Sequence, residues 1–84
     1  MNEPIRSPLS PNMMMLLRLT VERHVPELFP LVDTVGKTPL NETDREALRG
    51  VVLTEFLAAG LGSDDEPTPY GLELEELIDA LGRC

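Results

Sequence analysis

Few residues in this chain could do covalent or proton-transfer chemistry. His24 is the sole histidine and Cys84 the sole cysteine. Nucleophilic catalysis needs a hydroxyl or thiol held beside a general base. His24 precedes Val25-Pro26, where a helix is expected to end, and an imidazole there is favoured by the helix dipole. That structural role is the expected one. Cys84 stands at the last position, where a base would be hard to hold beside it. One thiol makes neither an internal disulfide nor a cysteine cage for zinc.

The acidic residues are the other candidates. Asp64-Asp65-Glu66 invites comparison with a calcium loop, but such loops place acids at alternate positions, with a glycine at the sixth and a glutamate at the twelfth. Here the three acids are contiguous, and the spacing fails. Gly60-Leu61-Gly62 lacks the strand, third glycine and lysine of a phosphate-cradling loop. Carboxylates abound, yet none is singled out as a catalytic pair by a second histidine or a basic substrate clamp. No catalytic residue, metal ligand or cofactor site is therefore expected, and the chain reads as a non-enzyme.

The elements that must position these residues follow from the apolar spacing. Residues 1–9 carry Pro4 and Pro8 without periodicity and read as a flexible arm. Residues 10–84 read as a single helical domain. Ser10-Pro11 has the form of an N-cap followed by proline at the first helical position. Met14, Leu17, Val21 and Val25 then recur at helical spacing, with Met13, Leu16 and Leu19 widening the stripe. Pro26 ends or kinks that helix. A short second helix is expected from Pro30, closed by Gly36.

The third helix starts at a capping box of Thr43 and Glu46, with Asn41 as a competing cap. Its apolar side is Leu48, Val51, Val52, Glu55, Phe56 and Ala59, broadened by Leu53 and Leu57. Gly60 is expected to stop it as a left-handed residue. A polar loop, residues 62–69, leads to a last helix from about Gly71 or Leu72 to Leu81, with Leu74, Leu77, Ile78 and Leu81 inward. No run alternates as a strand would. The expected fold is all-α, a small bundle of three to four helices whose last two form a helical hairpin. With three aromatics among 84 residues, its core must be aliphatic.

Charge narrows the function. The formal net charge is −8. Residues 1–40 balance four acids against four bases, whereas residues 41–84 hold eleven acids and three bases. Phosphate backbones and anionic membranes would be repelled by that second half, so neither direct nucleic-acid binding nor membrane binding is expected. No run approaches a membrane span, and Met1-Asn2-Glu3-Pro4 lacks the pattern of a signal peptide, which points to the cytoplasm. A basic protein partner is favoured instead. The candidate contact residues are Asp64, Asp65, Glu66, Tyr70, Glu73 and Glu76, with Tyr70 as an aromatic anchor. Against this stands an ordinary solvated face that keeps a small domain soluble. Like-charged pairs such as Glu75 and Asp79 cost a few tenths of a kcal/mol, which stability alone does not require.

The stretch from Leu40 to Arg83 resembles a known class in outline. A capped acidic helix ends in Ala59-Gly60-Leu61, and an acidic, proline-containing loop leads through Tyr70-Gly71-Leu72 into Glu73-Leu74-Glu75-Glu76-Leu77-Ile78-Asp79. This arrangement is similar to the small acidic helical immunity proteins that neutralise bacterial toxins. The resemblance implies an acidic surface that covers or sits beside a basic, often nuclease, active site on a toxin. It rests on size, charge and style over about half the chain, and matches no diagnostic signature. The rival expectation is an obligate helical homodimer or a small structural subunit, because the apolar faces at Met13–Leu17 and Leu53–Leu57 are broader than one stripe requires.

Overall fold

The computed structural model describes residues 9–83. The expectations for the N-terminal arm before Leu9 and for Cys84 lie outside the described residues. Leu9, read as the end of that arm, is buried in the core.

Four α-helices and one 3-10 turn make an all-α bundle: α1 (Pro11–His24), the 3-10 turn Pro26–Leu28, α2 (Phe29–Val32), α3 (Glu42–Ala59) and α4 (Pro69–Leu81). Among the described residues there is no strand, only a single bridge between Leu61 and Pro67. α3 is the central element, packing against both α1 and α4, which also touch each other. The last two helices thus form the expected hairpin.

Local chemistry explains where each helix begins. The Ser10 hydroxyl accepts from the Met13 amide at 3.2 Å, and Pro11 occupies the first turn, where its missing N–H goes unnoticed. α3 is capped by Asn41, whose side chain accepts from the Asp44 amide at 2.7 Å. The expected Thr43–Glu46 box therefore lies inside the helix, and the competing cap prevails. α4 starts earlier than its apolar spacing suggests. Thr68 caps it by accepting from the Gly71 amide at 3.1 Å, and Pro69 follows at the first helical position.

The region between α1 and α3 differs from a helix running from Pro30 to Gly36. Pro26 opens the 3-10 turn and Pro30 sits in the first turn of α2, which ends at Val32. Turn hydrogen bonds continue to Lys37, and Gly36 adopts the left-handed φ of 84° that glycine tolerates. Arg18 fastens this segment to α1. It pairs with Asp33 at 3.1 Å, and its guanidinium lies 5.8 Å from the centre of the Phe29 ring.

The core is aliphatic, as the scarcity of aromatics requires. Leu17, Val21, Val32, Leu48, Val52, Leu74, Leu77 and Leu81 are fully buried. Burying each side chain of this size contributes about 1.5–3 kcal/mol. Not every apolar residue reaches the core: Met15, Leu19, Leu53, Leu57 and Leu72 are about half exposed or more. No helix among the described residues is long and apolar enough to cross a membrane.

Candidate functional site

The hinge between α3 and α4 positions the acidic loop. Gly60 carries φ of −94°, so the left-handed stop expected there is absent. Glycine is required there for a different reason: an added Cβ would lie 2.8 Å from the Phe56 carbonyl oxygen and 3.0 Å from the Gly71 Cα. Gly71 packs so closely on it that a Cβ at position 71 would lie 2.0 Å from the Gly60 carbonyl oxygen. The same carbonyl accepts from the Thr68 amide at 2.9 Å and the Thr68 hydroxyl at 3.1 Å. Inside this neck, the Gly62 amide donates to the Glu66 carbonyl at 2.7 Å, and Asp65 turns the chain with a left-handed φ of 63°. Aspartate tolerates that conformation better than most residues.

Of the six residues expected to contact a partner, five are exposed: Asp64, Asp65 and Glu66 on the loop, and Glu73 and Glu76 on α4. Glu75 and Asp79 are exposed as well. Among the described residues none of these seven carboxylates takes part in an ion pair. The pairs that do form use Asp33, Glu46 and Glu55. No group of three or more potential metal ligands converges among the described residues.

Glu73 and Glu76 also border a groove of about 330 Å³ against the start of α1, together with Ser10, Asn12, Met13 and Leu16. The two glutamates are three residues apart and so project from one side of α4.

Tyr70 stands apart from the other five. It is half-buried, and its hydroxyl donates to Oε2 of Glu55 at 2.6 Å. Glu55 is a carboxylate only 2% exposed. Arg23 Nη1 donates to the same oxygen at 2.8 Å, and His24 Nε2 lies 2.7 Å from Oε1. An ionised carboxylate can only accept, so Nε2 is the protonated nitrogen. The Tyr70 hydrogen bond acts most strongly on Glu55. With the His24 hydrogen bond and the Arg23 and His24 charges it outweighs burial, and holds the carboxyl below its ordinary 4.5. Burial, then the bond to Glu55 and its charge, push the Tyr70 hydroxyl above 10.0.

This cluster is a structural tie. It joins the end of α1 and the start of α4 to α3, and both carboxylate oxygens are engaged. His24 sits at the helix end as expected, but its partner is Glu55. In the sequence, Glu55 reads as one member of an apolar stripe. A charge in such a stripe is itself the signal, since it is buried only when partners meet it.

Compared with known proteins, the chain matches no family model, and no curated protein or solved structure is significantly similar to it.

Proposed function

We propose that this chain is a non-catalytic, cytoplasmic protein-binding module: a stoichiometric inhibitor of the immunity type that occludes a basic partner, such as a toxin, with its acidic surface. The observation that carries this reading is the run of seven exposed carboxylates from Asp64 to Asp79, none of them in an ion pair among the described residues. Two of the bundle's surface arginines are already paired with other acids, Arg18 with Asp33 and Arg49 with Glu46. An uncompensated face of one sign raises the encounter rate with an oppositely charged protein, and salt weakens the effect. Action by occlusion needs no bond to be broken.

The test is capture from the native host with tagged protein, washed at low and high salt, alongside the double variant Glu73→Lys/Glu76→Lys. One basic partner in equal stoichiometry, lost at high salt and lost with the charge reversal, is the expected result. Undiminished capture by the double variant would sink the proposed surface.

A helical homodimer is the second reading. Leu53 and Leu57 are 47% and 63% exposed, one turn apart on α3. Beside them Gly50 is exposed, and an added Cβ there would meet nothing within 4 Å. A mid-helix glycine without an internal reason suits close approach by another backbone. Sedimentation decides this: a strictly monomeric chain through the micromolar range removes it.

A further inference from the structure

The groove between α1 and α4 combines two features that are ordinarily separate. Its α1 wall has an apolar floor, Met13 and Leu16, both half-buried and one turn apart, beside the exposed polar residues Ser10 and Asn12. Its α4 wall carries the carboxylates of Glu73 and Glu76, in no ion pair among the described residues. A side chain that matches both must have a long aliphatic stem and a cationic head. Lysine and arginine bury their methylenes along apolar surface in this way while the charge stays at the polar edge. The volume of about 330 Å³ lies at the lower end of the roughly 300–1,000 Å³ typical of sites that bury a small ligand.

A competing use for the two glutamates is internal. The first turn of α1 has no acidic residue, so its positive end could be balanced by carboxylates from α4. Magnitude decides between them. A helix N-terminus is equivalent to roughly half an elementary charge, whereas Glu73 and Glu76 bring two full ones. Most of the negative charge is left over for a ligand. Between the two cations, arginine fits better: its planar fork can engage two carboxylates and it is the more weakly hydrated. Methionine adapts readily to the stem.

We infer that this groove is an arginine-side-chain site, in which the stem packs on Met13 and Leu16 and the guanidinium is held by Glu73 and Glu76. The occupant is an exposed arginine of a basic protein partner. The inference deepens the acidic-surface reading and rests on it, since it gives that surface a defined point of anchorage.

The test is an NMR titration of the full chain at low salt with the capped peptide Gly-Gly-Arg-Gly-Gly and its uncharged citrulline counterpart. Saturable shifts are expected at the Met13 and Leu16 methyls. Binding should weaken about tenfold with citrulline or in Glu73→Gln/Glu76→Gln, the order of one charge-assisted hydrogen bond. The variant Asp64→Asn/Asp65→Asn/Glu66→Gln should retain the Met13 and Leu16 shifts. Shifts confined to residues 64–66 would overturn the groove while leaving the acidic-surface reading intact. A response that emerges only after Arg6→Ala would assign the groove to the chain's own arm and overturn the proposal. No shift anywhere would remove the groove and weaken the broader reading with it.

Discussion

The hydroxyl of Tyr70 donates to Glu55 Oε2 at 2.6 Å, closing a part-buried link between the first turn of α4 and the C-terminal part of α3. Arg23 and His24 complete the link from α1. The one fully buried carboxylate among the described residues is thus stabilised by three different partners, and its removal or protonation affects three helices together.

Acid should expose this dependence. The folded pKa of Glu55 lies below its ordinary 4.5, so its contribution is complete above that pH and is lost as pH falls through the lower folded value. At the alkaline end the sign reverses. Tyr70 has a folded pKa above 10.0, so its contribution holds below pH 10.0 and is lost as pH rises through the folded value. Thermal melts from acid to alkaline pH should show both slopes, with the acid slope flattened in Glu55→Gln.

Tyr70→Phe keeps the ring and removes the hydroxyl. It should destabilise the chain by about 1–3 kcal/mol, because a buried carboxylate loses a donor. Its acid midpoint should move upward, since the strongest influence lowering the Glu55 pKa has gone. Urea denaturation at two pH values separates these effects.

Glycine-to-alanine changes should act in opposite directions at two positions. At Gly71 the new methyl meets backbone at 2.0 Å, and neither helix can yield cheaply. The expected cost is about 3 kcal/mol or more, at the upper end of overpacking penalties. At Gly50 the methyl enters open space, and the monomer should gain about 1 kcal/mol. Chemical denaturation of both variants checks the pair.

The start of α3 offers a decisive comparison of caps. Asn41→Ala should cost about 1 kcal/mol, the usual value for a lost N-cap, while Thr43→Ala should cost little. Equal losses would return the cap to Thr43.

Much of the bundle was legible because helical spacing is local information. The stripes through Leu17 and Val21, Leu48 and Val52, and Leu74 and Leu77 all end in the core. The start of α4 was readable too, since Thr68-Pro69 repeats the logic of Ser10-Pro11; the surrounding prolines concealed it. The acids of the loop and of α4 were legible as exposed for the same reason, being off the stripe. What escaped local reading depends on distant partners. Glu55 requires residues from α1 and α4 to meet it, and Gly60 requires the backbone of Gly71. Leu53 and Leu57 broaden their stripe past the area that α1 and α4 cover.

The two hydrogen bonds that Thr68 donates to the Gly60 carbonyl and the glycine contact at 71 seal the loop at its neck. Everything between Leu61 and Pro67 hangs outside that seal, with its own internal hydrogen bonds. Such a segment is free to vary in length and charge without the bundle registering the change. If the acidic surface binds a partner as proposed, substitutions in this loop should alter that binding and leave the stability of the scaffold unchanged.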